Sequence, residues 1–419
     1  MNRRALLAII APVLLHSATP PARAQDAIDR LDMKAHAAFE ARDYPTAIKL
    51  WGEVVKLDPS DTTAWSNLGK ANDFTGKKEQ AIAAYSEVIR LDPKDADAYT
   101  ERGVLYRDRH DARAIDDFNT LLALKPDMDS YLTRAYGYRL LGQPAKAIAD
   151  YNTAFRLFPP DDGDYLVRGE AYAEAEEWDK SIADYNKAIQ MEAQNPEPWS
   201  YEERAGVYAK MGDYQKAIAD YTTAIDLPDP DLLSHVSLIT QRAHAWACAD
   251  NPDKAIDDYN FAMAELLKGN DQGATDYTLC LVGRGDMYAR EGQYEKAIAD
   301  YHSAMSQNSS DTSAYDSLAL LLATSPDPKY RDPAKAASLA LQACEITKWQ
   351  YDYRAPAALA AAEAAAGKWP DAVKHQKQAI TLLYNITHDK KEQDALATQL
   401  ANYQQQKPYQ PAPAPAPPQ

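Results

Sequence analysis

Six arginines and six aspartates recur in step along this chain. Arg102, Arg134, Arg168, Arg204, Arg242 and Arg284 hold one position of a repeated unit, and Asp117, Asp150, Asp184, Asp220, Asp258 and Asp300 hold another. Two chemistries are open to such a pattern: a ladder of charges that grips a ligand, or a set of internal ion pairs. Units that lack the arginine also lack the aspartate, as with Leu68 and Ala84 or Leu318 and Leu339. Residues that come and go together within one chain touch one another. The pattern therefore reads as an Arg–Asp bridge inside each unit. Acid pairs such as Asp257-Asp258 follow the same period and take the same structural reading.

Catalytic signatures are absent. There is no Gly-rich phosphate loop, no Gly-x-Ser-x-Gly, no His-Glu-x-x-His and no Cys-x-x-Cys. The eight histidines (16, 36, 110, 235, 244, 302, 375 and 388) include no two at i, i+4, so no helical metal pair is expected. The expectation is no enzyme, no cofactor and no metal. Of the three cysteines, Cys248 and Cys280 fall on helices that should run parallel. Their offset along the axis is roughly 15 Å at 1.5 Å rise per residue, beyond disulfide reach. All three, with Cys344, read as small buried apolar residues.

What positions these residues is a repeat. Gly212-Asp-Tyr-Gln-Lys-Ala-Ile-Ala-Asp-Tyr-Thr-Thr-Ala-Ile225 returns as Gly292-Gln-Tyr-Glu-Lys-Ala-Ile-Ala-Asp-Tyr-His-Ser-Ala-Met305. The central aromatic runs Trp51, Tyr85, Phe118, Tyr151, Tyr185, Tyr221, Tyr259, Tyr301, at gaps of 34, 33, 33, 34, 36, 38 and 42 residues. A fixed period near this length marks an array in which each unit buries its apolar face against its neighbours. In the unit from Pro198, Tyr201, Arg204, Ala205 and Tyr208 share one helical face. Gly212-Asp213 breaks that helix. Tyr214, Ala217, Ile218, Tyr221, Ala224 and Ile225 then form the apolar face of a second helix.

This unit resembles the tetratricopeptide repeat, a helix–turn–helix with a large residue, Leu-Gly, Tyr, Ala, an aromatic, Ala and Pro. Trp65, Leu68, Gly69, Ala81, Tyr85, Val88 and Pro93 match at the family spacing, with Asn72 the one departure. The resemblance covers roughly residues 26–385. It implies an all-α fold, an α-solenoid of about ten stacked helix–turn–helix units with a C-terminal capping helix. Units are expected to begin near Ile28, Thr62, Ala96, Met128, Asp162, Pro198, Val236, Thr278, Thr312 and Tyr353, with Asp311-Thr312 as an N-cap for the ninth. Asp58-Pro59, Asp92-Pro93 and Lys125-Pro126 should end second helices. Extra residues at Leu232–His235 and Gly269–Asp276 should lengthen helices or bulge.

The two ends read differently. Residues 1–24 carry Arg3-Arg4, an apolar run from Ala5 to Leu15 and Ala22-Arg-Ala24, the layout of a cleaved secretory signal. The expected domains are this signal (1–24), the repeat array (25–387), a capping helix (388–407) and a disordered Pro/Ala-rich tail (408–419). No other segment is apolar enough to span a membrane. Periplasmic or secreted location is expected. Losing 1–24 removes three cations and no acid, so the formal charge moves from −17 to −20. That argues against nucleic acid and anionic membrane, and favours basic or neutral partners.

The resemblance also implies a function. Stacked units of this family form a groove lined by the first helix of each unit, which binds other proteins or peptides. Carrying those positions over gives Lys70, Arg107, Tyr136, Arg139, Glu170, Glu202, His244, Asp286 and Arg290 as peptide-binding candidates. Phe74, Leu132, Leu166, Trp199 and Val282 are their apolar neighbours. The family's Lys/Asn/Arg clamp for a C-terminal carboxylate is not reproduced. The expected function is an exported scaffold or adaptor. The alternatives are an accessory protein that binds or acts on envelope glycan through the groove, or a scaffold that self-associates.

Overall fold

A computed structural model describes residues 22–228, 232–268, 275–386 and 390–408. The expected signal segment up to residue 21, the insertion residues 269–274 and the tail beyond Pro408 lie outside them. Among the described residues there are 21 α-helices and no strand. They form ten antiparallel pairs and a final single helix. The pairs are α1 (Ala22–Glu40) with α2 (Tyr44–Leu57), α3 (Thr62–Phe74) with α4 (Lys78–Leu91), α5 (Ala96–Arg107) with α6 (Arg113–Leu124), α7 (Met128–Leu140) with α8 (Pro144–Leu157), and α9 (Asp162–Glu174) with α10 (Trp178–Met191). They continue with α11 (Pro198–Lys210) and α12 (Tyr214–Asp226), α13 (Leu232–Cys248) and α14 (Pro252–Lys268), α15 (Thr275–Arg290) and α16 (Tyr294–Gln307), α17 (Ser313–Thr324) and α18 (Pro333–Ile346), α19 (Arg354–Ala365) and α20 (Trp369–Ile386). The last helix is α21 (Lys390–Gln404). The helices group into two compact units that divide after Asp184, within α10. Each unit is a stack of such pairs, an α-solenoid.

Local chemistry sets the boundaries. Asp61, Asp95, Asp127 and Asp161 each accept a hydrogen bond from the third backbone N–H of the following first helix, at 2.9–3.0 Å. Such caps satisfy donors that the helix itself leaves free. Asp58, Asp92 and Lys125 stand at the C-caps of α2, α4 and α6, as the following prolines require. In every pair but the ninth, the turn between the two helices places one residue at positive φ. Gly212 holds it at +80°. Glu176 and Asp250 hold the same turn position at 57° and 63°, at some cost in strain. In the ninth unit Thr312 makes no capping bond; Asp311 instead accepts from the Ser313 N–H at 3.0 Å.

The aromatic of each second helix is the centre of its pair. Trp51, Tyr85, Phe118, Tyr151, Tyr185, Tyr221, Tyr259 and Tyr301 are all buried. Small residues of the first helix let the rings in: a Cβ on Gly103 would lie 2.5 Å from the Phe118 ring. Ala340 and Gln376 fill this place in the last two pairs and are fully buried. The insertion at Leu232–His235 is absorbed by lengthening, since α13 and α14 each run 17 residues against 13 for α11 and α12.

The six expected Arg–Asp bridges are present. Each guanidinium grips its aspartate through Nε and Nη2 at 2.6–2.9 Å. Each also makes a third bond that the sequence reading missed. Nη1 donates to a side chain of the preceding unit: Ser86, Asn119, Asn152, Asn186, Thr222 and Asn260 accept in turn, at 2.5–3.2 Å. The acceptor is always the residue after the central aromatic. Where the next unit carries leucine instead of arginine, that residue is Gly52 or His302. The aspartates are nearly buried, so these are bidentate, charge-assisted bonds sheltered from solvent.

Candidate functional site

In the first compact unit the carried-over residues fall on α3, α5, α7 and α9. Four of them form a continuous row. The Arg107 guanidinium lies 4.9 Å from the centroid of the Tyr136 ring, and Arg139 lies 5.8 Å from the same ring. Arg139 then reaches onto α9, bonding Glu170 at 2.6 Å and Glu174 at 2.7 Å. Burial would lower its proton affinity, but Glu174 and Glu170 outweigh that and raise it. Arg139 is only 10% exposed, and its ion pairs join α7 to α9. Tyr136, 40% exposed, is the accessible member of the row. Between two cations on neighbouring helices, its ring is held in one place at little further entropic cost.

Lys70 is exposed on α3. It borders a polar cleft of ≈ 500 Å³ between α3 and α5. One wall is Thr62, Thr63, Ser66, Asn67 and Lys70; the other is Asp95, Asp97, Thr100 and Glu101. The sequence reading named only Lys70 here, because Asn67 and Glu101 fall outside the positions carried over from the family. Of the apolar neighbours, Phe74 is exposed and stacks on Tyr44 at 5.1 Å with an interplanar angle of 7°. Leu166 is buried, contrary to expectation, because its side chain faces the pair and not the outer surface.

In the second unit Glu202, Asp286 and Arg290 are likewise committed to neighbouring elements. Glu202 on α11 accepts from Gln241 on α13 at 2.7 Å. Arg290 on α15 bonds Asp250 and the Ala247 carbonyl at the end of α13. Asp286 accepts from the Tyr301 hydroxyl at 2.7 Å, and burial raises its pKa. Trp199 is exposed and donates to Glu203 at 3.0 Å. Val282 is buried, so it packs between pairs and lines no open surface.

His244 and Cys248 lie one helical turn apart on α13, with Nε2 and Sγ separated by 3.6 Å. Cys248 is exposed, which corrects the expectation that all three cysteines are buried. The expectation failed because Cys248 sits in the last turn of α13, beyond the cover of the next pair. Its hydrogen bond to His244 outweighs partial burial and lowers the thiol pKa. Burial pushes Cys280 up to about 11 and Cys344 up to about 12. Thiolates react and thiols do not. At neutral pH the folded protein is therefore expected to titrate one fast thiol with a disulfide reagent, and all three only after denaturation. His244→Ala should slow the fast one. Three equally slow thiols in the native protein would contradict the pairing.

Among the described residues no three His, Cys, Asp or Glu side chains stand together as metal ligands, and no helix is long and apolar enough to cross a membrane. What the first helices present is an ordered surface of aromatic and charged groups.

Comparison with known proteins agrees with this architecture. Family models described as TPR repeat and tetratricopeptide repeat match residues 33–73, 75–108, 132–197 and 200–229. No curated protein matches the sequence. A tetratricopeptide repeat protein from Parabacteroides merdae is similar in structure, with TM-score 0.48 and 18% identity, covering 65% of this chain and 99% of its own. Yeast Tom70 gives TM-score 0.48 at 14% identity, over 91% of this chain and 96% of its own. MamA gives TM-score 0.38 at 24% identity, over 41% of this chain and 94% of its own. The four matched stretches are tetratricopeptide repeats, and the helix pairs that centre on the repeated aromatic carry the same helix–turn–helix architecture.

Proposed function

We propose that this protein is an exported, non-enzymatic scaffold that gathers partner proteins or peptides on the outer face of its first helices. Its place of work is a bacterial periplasm or the cell exterior, in keeping with Arg3-Arg4, the apolar run and Ala22-Arg-Ala24. The observation that carries the binding role is Tyr136. It is an exposed aromatic fixed between Arg107 and Arg139, with Glu170 holding Arg139 from behind. A pre-ordered aromatic flanked by charge is the usual form of an interface anchor. The paired charges around it set direction and register more than affinity.

The test is quantitative capture of native partners by purified protein, identified by crosslinking and mass spectrometry. Tyr136→Ala should lower capture about tenfold or more, with the helical melt nearly unchanged, because the ring covers no core. Lys187 and Lys216 are exposed on second helices. Changing both to Ala should leave capture intact. Partners retained by the Tyr136 variant, or lost with the lysine pair, would place the binding face elsewhere.

A further inference from the structure

We infer that the α3–α5 cleft of the first compact unit is a seat for a cationic side chain, lysine or arginine, of a partner peptide. This deepens the protein-binding reading and rests on it. The cleft is polar on both walls. Asp97, Thr100 and Glu101 project from one side of α5, at spacings of three and one that put them on one face. Thr62, Thr63, Ser66, Asn67 and Lys70 project from α3 opposite. Asp95 is occupied as the N-cap of α5. Asp97 and Glu101 face a single cation, Lys70, so the lining carries more negative than positive charge.

A second observation at the same place points to a missing hydrogen-bond partner. Tyr85, on α4, is 1% exposed, and its hydroxyl has no hydrogen-bond partner. The ring runs beneath α3, where a Cβ on Gly69 would lie 2.9 Å from its Cζ. Its far end thus lies covered beneath α3, close to Glu101. The surroundings agree: burial first, then the carboxylates of Glu101 and Asp73, raise its pKa. Burial likewise raises Glu101, against the pull of Lys70. A buried hydroxyl without a partner costs free energy. A cation seated against Glu101 brings N–H donors for both the carboxylate and the Tyr85 oxygen. The Ser66 hydroxyl and the side-chain oxygens of Asn67 and Thr100, whose donors already serve His36 and the Ala96 carbonyl, remain to bond the peptide backbone on either side. Charge-assisted bonds of this kind are about twice as strong as neutral ones.

The experiment uses the full-length protein and a fluorescein-labelled decapeptide of alternating Lys and Ala. The same peptide acetylated at every Nζ, and a Glu–Ala counterpart, are the controls. Fluorescence anisotropy should show the lysine peptide binding about tenfold more tightly than the acetylated one, with no binding of the glutamate peptide. Glu101→Gln and Asp97→Asn together should erase that preference. Lys70→Ala should tighten binding severalfold, since it removes the competing charge. A double change at Asp253 and Asp257, exposed acids of the second unit, should do nothing. Equal losses with that control pair would mean that only the net charge of −17 attracts the peptide, and would overturn the seat. So would an unchanged preference in the Glu101 and Asp97 variant, or weaker binding on loss of Lys70. Native partners captured normally by the Glu101 and Asp97 variant but lost with Tyr136→Ala would sink the seat and leave the scaffold reading standing. Failure to capture any partner, with lysine-peptide binding intact, would do the reverse.

Discussion

Arg204→Leu should destabilise the protein by about 1–3 kcal/mol, and Arg204→Leu with Asp220→Ala by much less. The single change leaves the Asp220 carboxylate nearly buried without its bidentate partner and removes the donor from Asn186. An unpaired buried charge is the expensive outcome; removing both charges is not. The double change copies what the chain already tolerates at Leu68 and Ala84, where the residue after the aromatic is Gly52. Adding Asn186→Ala should change little further, because Asn186 is exposed and water replaces the lost donor. Urea melts followed by circular dichroism give the comparison. Losses that simply add would mean Arg204 and Asp220 do not act as one group.

The second large effect is on pH dependence. Asp316 on α17 is buried, and neither of its carboxyl oxygens finds a donor. Asp352 beside it is already served by the Thr312 hydroxyl at 3.0 Å and the Arg354 backbone N–H at 2.8 Å. Burial first, then the Asp352 carboxylate and more weakly Asp311, push Asp316 up to about 9, with Arg354 opposing. Cys344 faces the same carboxylates from α18. A folded-state pKa above the unfolded value means the native state holds a proton that the unfolded chain releases. That contribution is complete below about pH 4 and is lost as pH rises toward about 9. Half-buried Asp286, whose pKa is also raised, acts in the same direction. Over that window the loss is on the order of a few kcal/mol. The thermal midpoint should therefore fall between pH 5 and pH 9. Asp316→Asn keeps the shape and one donor for Asp352, so it should raise the midpoint at pH 8 and flatten the dependence. A variant whose midpoint follows the wild type at every pH would show that Asp316 does not hold the proton.

Most of the architecture is legible in the sequence, and the reason is repetition. The starts at Thr62, Ala96, Met128, Asp162 and Pro198 coincide with α3, α5, α7, α9 and α11 because Asp and Pro punctuate each of those boundaries. The Arg–Asp bridge was legible because both partners vary together. Its third bond, to Ser86, Asn119 and their equivalents, left the same signal at the residue after the aromatic, where three different side chains blur it. The candidate surface was harder to read. Lys70 and Tyr136 are accessible, but Arg139 and Glu170 were assigned to a ligand and prove to bond each other. That pairing depends on the distance between successive first helices, which no spacing within one unit encodes. The exposure of Cys248 and the proton on Asp316 depend on packing between pairs for the same reason.

The guanidinium network also has a direction. Every arginine takes its aspartate from its own pair and its third acceptor from the pair before it, never from the pair after. During synthesis the acceptor is therefore already in place when each new arginine leaves the ribosome. Growth from the amino end completes each rung once the aspartate of the same pair, 15 or 16 residues later, has followed. A chain cut short after any complete pair keeps all of its rungs. A chain that starts late leaves its first arginine with an empty Nη1. Shortening the array from the carboxyl end should thus be gentler than shortening it from the amino end, an asymmetry set by which neighbour each guanidinium faces.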